Sequence, residues 1–330
     1  MRILVITSNL YPEIGGPYNV ITSTVRELLK KNIKIKIYTF FDGKKKSTKR
    51  LFNLIKNHDI IHFYGGWNIH HIIIFLISLF LKKKFILSPM GIFEDWSLEQ
   101  KKIKKKLALF FYQKRILDKS DIIHATSELE KNNIKKLTKN KNIFVIPHGI
   151  DKLDDKYIKK KFFINEKKRA LFFSRIHKKK GLDIFLNAWK KIKLLNWELH
   201  IYGPDYDSYI DQLDPSLKKI DGVIFKGPLF SVSTKREVFK NSDLMILPSK
   251  SENFGYVILE SIRAGLPVLT TTQTPWENIK KTNSGWVIDH HQTDLEKVLR
   301  QIDETNEKDF LVKSENSKKL SQNFLWENIL

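Results

Sequence analysis

Twelve short runs rich in aliphatic and β-branched residues, separated by stretches with helical spacing, constrain this chain more than any other feature. The first six are Ile3–Thr7, Ile33–Thr39, Ile60–Phe63, Phe85–Ser88, Ile122–Ala125 and Phe144–Ile146. A polar, lysine-rich segment over 151–168 interrupts the rhythm. It restarts with Ala170–Ser174, Glu198–Tyr202, Val223–Lys226, Leu244–Leu247, Pro267–Thr271 and Trp286–Ile288. Strands alternating with helices predict α/β domains, each a parallel sheet covered on both faces. The economical reading is two Rossmann-like domains facing each other across a cleft, 1–150 and 169–330, joined by a linker over 151–168. Ile33–Thr39 alternates apolar and basic residues, as an edge strand does.

With 330 residues the chain is long enough for two ordinary cores. It has no cysteine, which excludes disulfides, thiolate nucleophiles and cysteine-based zinc sites. The formal charge of +23 admits two readings. Lysine spread over solvated faces by compositional bias is one, and the short runs Lys44–Lys46, Lys82–Lys84, Lys159–Lys161 and Lys178–Lys180 favour it. Attraction to phosphate-rich partners is the other. No nucleic-acid-binding module is recognisable, so no nucleic-acid partner is expected. The apolar start Met1–Ser8 reads as a strand, not a signal peptide. The longest apolar run, Ile72–Leu81, is too short to span a bilayer and reads as a buried helix.

Three places carry candidate chemistry. Gly15-Gly16 closes the loop after the first strand and opens the first helix. It is either a structural turn or a place where backbone approaches a phosphate without a Cβ in the way. Arg175 and Lys180 come after the strand that ends at Ser174, at the edge where doubly wound sheets bind ligands. A forked guanidinium with a nearby ammonium suits a diphosphate. Glu252 and Glu260 flank Asn253-Phe254-Gly255 after the strand Leu244–Leu247. Glu252 falls in the loop and Glu260 on the next helix. They could be an acid/base pair, or acceptors of hydrogen bonds from sugar and ribose hydroxyls. His70 and His71 point apart on a helix and read as packing residues. No metal-ligand spacing stands out.

At these residues the chain resembles the family-4 retaining glycosyltransferases of GT-B fold. The likeness is carried by Gly15-Gly16, Ser174-Arg175 with Lys180-Gly181, Pro248-Ser249 through Glu260, and Ala264-Gly265-Leu266-Pro267-Val268. Asp121–Ser127 and Val145–Asp151 resemble the end of the family's first domain and its hinge. The resemblance implies a nucleotide-diphosphate-sugar donor of UDP or GDP type held by the second domain, with no cofactor and no metal. Arg175 and Lys180 would neutralise the diphosphate, and Glu260 would hold the ribose. Glu252 with the backbone of Asn253, Phe254 and Gly255 would orient the sugar, while Gly15 and Gly16 approach from the first domain. A hexose would pass with retention to a glycan or lipid-linked glycan, in cell-surface polysaccharide synthesis.

Three departures temper the resemblance. Met90 stands where many relatives have histidine, and His62-Phe63-Tyr64-Gly65 replaces a His-x-His-Gly pattern, leaving His62, Tyr64 and Met90 as acceptor-side candidates. The sequence ends at Leu330, so the family's crossover helix is expected to be shortened or absent. These departures keep a second reading open: a nucleotide-sugar-binding protein with weak or no transferase activity. Over 101–117, Ile103, Leu107, Phe110 and Leu117 share a helical face behind a lysine cluster. That is either an ordinary helix packed on its sheet or a ridge that meets anionic lipid. The expected location is cytoplasmic, with peripheral attachment to the inner face of the cytoplasmic membrane.

Overall fold

The computed structural model describes residues 1–11, 15–40 and 47–330. Pro12–Ile14 of the loop before Gly15 and the run Lys44–Lys46 lie outside the described residues. The chain divides into two compact units, Met1–Gly149 and Ile150–Leu330.

The first unit holds β1 (Arg2–Thr7), β2 (Lys34–Thr39), β3 (Ile60–Tyr64), β4 (Lys84–Ser88), β5 (Ile122–Ala125) and β6 (Ile143–Val145). They form one sheet in the order β2-β1-β3-β4-β5-β6, every pair parallel. The second holds β7 (Lys168–Phe173), β8 (Trp197–Tyr202), β9 (Val223–Gly227), β10 (Leu244–Leu247), β11 (Val268–Thr271) and β12 (Gly285–Ile288). Their order is β12-β11-β10-β7-β8-β9, again all parallel. Each of the twelve expected strands is present, and the α/β reading holds.

Period-two geometry explains why both faces of each sheet are apolar. Along β1, Leu4 and Ile6 enter one core cluster while Ile3 and Val5 enter the other. Along β10, Leu244 and Ile246 face one cluster, and Met245 and Leu247 face the opposite one. β2 lies at the sheet edge with Lys34 exposed, as its alternation predicts. Strand order reverses between β1 and β3, and again between β7 and β10. Those two carboxyl edges are where an open parallel sheet leaves room for a ligand.

Residues 151–168 pack on the second unit. Leu153 and Phe162 are buried in its cores. Lys159 forms a 2.9 Å ion pair with Asp243, with 2% and 0% of the side chains exposed. Asp243 also accepts hydrogen bonds from the backbone N–H groups of Phe163 (3.0 Å) and Arg169 (2.8 Å).

Two helices depart from expectation. The run Ile72–Leu81 forms most of the helix Ile69–Phe80 and its C-cap, Leu81; the helix buries His71, Ile74, Phe75 and Ser78 but exposes Leu76, Leu79 and Phe80. Its apolar residues run all the way round, so one face has no core to meet. The second is the stretch after Lys101, an α-helix over Lys102–Ala108, a π-helical turn over Leu109–Gln113 and an α-helix over Lys114–Lys119. Wider spacing in the π turn rotates the helix Lys114–Lys119 about its axis relative to Lys102–Ala108. Leu117 therefore reaches the core, whereas Ile103 is 76% and Phe110 79% exposed. Leu107 and Phe111 are exposed as well, so the packed amphipathic face expected over 101–117 does not form. Among the described residues no helix is long and apolar enough to cross a membrane.

Candidate functional site

Two glycines shape the carboxyl edge of the second sheet. A Cβ on Gly203 would lie 1.7 Å from the carbonyl oxygen of Ser174, so the ends of β7 and β8 pack backbone to backbone. Arg175 leaves this tight junction exposed to solvent. The turn Lys178–Lys180 comes next, capped by His177, whose Nδ1 accepts from the Lys179 N–H (3.0 Å). Gly181 then adopts φ +69°, and a Cβ there would lie 2.1 Å from the carbonyl oxygen of Pro248. The turn thus presses on the end of β10, and the Lys250 N–H donates to the Lys179 carbonyl (2.8 Å).

This docking delivers Lys180 to Glu252. Lys180 Nζ donates to Glu252 Oε1 at 2.5 Å, and Ser249 Oγ donates to the same oxygen at 2.7 Å. Glu252 Oε2 has no partner among the described residues. Burial pushes the Glu252 carboxyl up, but the charges of Lys180 and Lys179 and the two hydrogen bonds outweigh it and hold the group below the usual range. The Glu252 N–H donates to Gln273 O (3.1 Å), and Trp276 Nε1 donates to Phe254 O. Phe254 is buried edge-on against Trp276, with centroids 5.4 Å apart. The loop 252–255 is thereby held by the segment after β11.

Gly255, at φ +74°, caps the helix Tyr256–Arg263 that carries Glu260. Both Glu260 oxygens accept from Lys235 Nζ, at 2.7 and 2.6 Å. Lys235 comes from the helix Val232–Lys240 and lies over the rings of Phe173 (4.9 Å) and Phe239 (5.6 Å). Each carboxylate therefore has its own lysine.

The carboxyl edge of the first sheet holds the remaining candidates. His62 stacks on Tyr64 with ring centroids 4.3 Å apart. Met90 packs against the cluster that contains Tyr64. His62 Nε2 meets Ser88 Oγ at 2.8 Å, Ser88 Oγ meets His124 Nδ1 at 2.8 Å, and His124 Nε2 meets the carbonyl of Ile146 at 2.8 Å. Gly15 caps the helix Gly16–Lys30 with φ +73°, and a Cβ at Gly15 or Gly16 would meet nothing within 4 Å. Gly15 is thus required by its backbone conformation, while the space beside both is open.

The structure brings together Lys180 with Glu252, and His62 with Tyr64, while Met90 packs against the cluster that Tyr64 belongs to. Glu260 does not meet Arg175 or Lys180 in an ion pair. Arg175 is exposed, and its charge acts on His177. Sequence reasoning missed Lys235, Ser249, Ser88 and His124 as partners. Ser249 and His124 stand inside segments that carried the resemblance, and Ser88 lies two residues before Met90. Lys235 has no local signal at all.

Known proteins resemble the chain in sequence and in fold. The model of the family "Glycosyl transferases group 1" matches residues 154–323. N-acetyl-alpha-D-glucosaminyl L-malate synthase of Bacillus anthracis is 33% identical over 168 residues, 47% of this chain and 42% of that protein. An uncharacterised 41.2 kDa protein in the cps region of Klebsiella pneumoniae is 26% identical over 222 residues, 64% of this chain and 59% of that one. The chain thus spans about half the length of these curated relatives. Among solved structures, sucrose-phosphate synthase from Thermosynechococcus elongatus superposes with a TM-score of 0.78 at 15% identity, covering 100% of this chain and 96% of that one. Anabaena HepE in complex with UDP-glucose gives 0.77 at 15% identity, covering 100% and 97%. At such identities these likenesses speak for the fold, which is that of GT-B glycosyltransferases. The family match covers more than half of the sequence, and the chain belongs to the glycosyl transferases group 1.

Proposed function

We propose that this protein moves a hexose from a nucleotide-diphosphate sugar, with retention, to a glycan or lipid-linked glycan in cell-surface polysaccharide synthesis. The observation that carries the donor half is the Lys180–Glu252–Ser249 cluster. It presents a cation and an ionised carboxylate at one sheet edge, with Glu252 Oε2 left to accept from a sugar hydroxyl. Lys180 and Arg175 would stabilise the departing diphosphate electrostatically, without a metal or cofactor. Removing one such donor typically costs about 2.7–4 kcal/mol of transition-state stabilisation. Glu260 would take the ribose hydroxyls, its carboxylate fixed by Lys235. Gly255 and its neighbours Asn253 and Phe254 would shape the backbone that faces the sugar. Gly15 and Gly16 offer backbone beside open space. His62, Tyr64 and Met90 would face the acceptor. Two relatives lend weight: Anabaena HepE was crystallised with UDP-glucose, and the Klebsiella relative is described as lying in a cps region.

A thermal-shift screen across UDP- and GDP-sugars tests the donor half. At least one should stabilise the wild type, and Glu260→Ala and Arg175→Ala should weaken that stabilisation. A flat screen on folded protein overturns the reading.

The proposal includes attachment at the inner face of the cytoplasmic membrane through the stretch 101–117. Exposed Ile103, Leu107, Phe110 and Phe111 beside Lys101, Lys102, Lys104 and Lys106 form an apolar ridge in a basic frame. Each well-placed lysine contributes roughly 1 kcal/mol near an anionic surface. Changing Lys101, Lys102 and Lys104–Lys106 to Gln should abolish co-sedimentation with vesicles containing phosphatidylserine; unchanged binding rules the attachment out.

A further inference from the structure

The hydrogen-bond row on the carboxyl edge of the first sheet has a direction that chemistry fixes. It crosses four neighbouring strands: His62 on β3, Ser88 at the end of β4, His124 on β5, and the carbonyl of Ile146 just after β6. Register explains the alignment. Tyr64 pairs with Ser88, which puts His62 one diagonal step back on the same face. Ile86 pairs with Ile122 and Leu87 with Ile123, so Ser88 falls opposite His124.

A carbonyl oxygen can only accept, so His124 Nε2 carries a proton and donates to Ile146. Burial holds His124 below the usual histidine range, so the ring is neutral and its Nδ1 is bare. The Ser88 hydroxyl must then donate to that Nδ1, and its oxygen is left to accept. The only group offering it a proton in the row is His62 Nε2–H. Burial, with a smaller contribution from His124, pushes His62 down to about 3, so it too is neutral. Its single proton is committed to Nε2, and its Nδ1 is a bare lone pair. Nδ1 has no partner among the described residues, and the ring is half-buried, stacked on Tyr64.

We propose that Ser88 and His124 are positioning residues that lock His62 in the Nε2–H form, so that its bare Nδ1 accepts a hydrogen bond from a hydroxyl of the incoming acceptor. His62 on this account orients the hydroxyl; a ring so reluctant to take charge is a poor general base. Only the nature of the ligand rests on the transferase reading, since the lock is a property of the unliganded chain.

Nitrogen NMR of the full chain labelled with 15N-histidine tests both halves, with His62→Gln to assign the resonances. In the wild type, His62 should show a protonated Nε2 and a bare Nδ1, and His124 the same pattern. Ser88→Ala should leave the fold intact while His62 becomes a mixture of the two neutral forms. His124→Phe, which removes the acceptor of the serine proton, should do the same. Methyl glucoside, methyl mannoside and glycerol, added in turn as hydroxyl probes, should move the His62 Nδ1 resonance in the wild type and move it less in Ser88→Ala. A proton on His62 Nδ1 in the wild type, or a tautomer unchanged in both variants, overturns the lock. An Nδ1 resonance that no probe moves overturns the acceptor role. Thermal shift with nucleotide sugars on the same samples separates this from the donor reading: Ser88→Ala should keep wild-type donor stabilisation, and a flat wild-type screen would condemn the donor reading while leaving the tautomer result standing.

Discussion

Replacing Lys180 with methionine keeps an unbranched side chain, one atom shorter, and removes its charge from beside Glu252. The side chains of the pair are 15% and 9% exposed, so water reaches them poorly. Deleting one partner of a buried pair costs about 3–5 kcal/mol because the other charge is stranded. Here Ser249 still donates to Glu252, and some exposure remains, so the lower end, about 3 kcal/mol, is expected. For a unit of this size that is roughly 6–12 °C in melting temperature. Glu252→Gln strands the longer, better-hydrated lysine and should cost less, about 2 kcal/mol. The double variant should cost no more than Glu252→Gln alone, since replacing both members of a buried pair is often close to neutral. Urea unfolding monitored by tryptophan fluorescence gives the four free energies. The pH dependence adds a second check. The folded Glu252 carboxyl is depressed, so the stability it contributes is present above the unfolded value, about 4.3, and is lost as pH falls through the lower folded one. Lys180→Met should flatten that acid slope. Strict additivity of the two single changes would falsify the pairing.

Gly181→Ala should destabilise by about 2–4 kcal/mol, from an unfavourable φ and a Cβ 2.1 Å from the Pro248 carbonyl oxygen, and chemical denaturation measures it. It should also weaken nucleotide-sugar stabilisation by displacing Lys180, an effect that Gly16→Ala, with open space around it, should not share through stability. Asp243→Asn should cost about 3–5 kcal/mol, because Lys159 is left charged and buried, and thermal melting reads it. Glu130 accepts from the N–H groups of Gly91 and Thr126 and the Thr126 hydroxyl, yet burial outweighs them and pushes its carboxyl up to about 7. A raised carboxyl favours the folded state most below the unfolded value near 4.3 and loses that advantage as pH rises through about 7. The fall in wild-type stability over that window, on the order of 3 kcal/mol, should be shallower in Glu130→Gln.

The strands were legible because a strand covered on both faces is an unbroken apolar run, and Leu244–Leu247 or Ile3–Thr7 has no other good use. Loops at strand ends were legible through the motifs that carried the resemblance, which include Gly181 and Gly255; that Gly181 presses on the Pro248 carbonyl, while Gly255 is needed for its φ of +74°, shows only in the structure. Pairings across elements were not. Lys235 finds Glu260 through the packing of two helices, and nothing in a window around either residue encodes that meeting. The row from His62 to His124 likewise depends on strand register across three neighbours. The stretch after Lys101 misled for a different reason. A helical wheel assumes constant pitch, and the π turn over Leu109–Gln113 breaks it, so Leu117 and Ile103 part company.

Where the chain first joins the second unit it meets the segment near its last residues. The Ile150 N–H donates to Phe324 O (2.8 Å), and the Trp326 N–H donates to Ile150 O (3.2 Å). Ile150 and Leu325 lie side by side, held like the two halves of a buckle. A short peptide could join the chain between these two positions, so circularly permuted versions of the stretch between them, opened in a surface loop, should be within reach of protein engineering. A pull that drew Ile150 away from Leu325 would load that clasp directly.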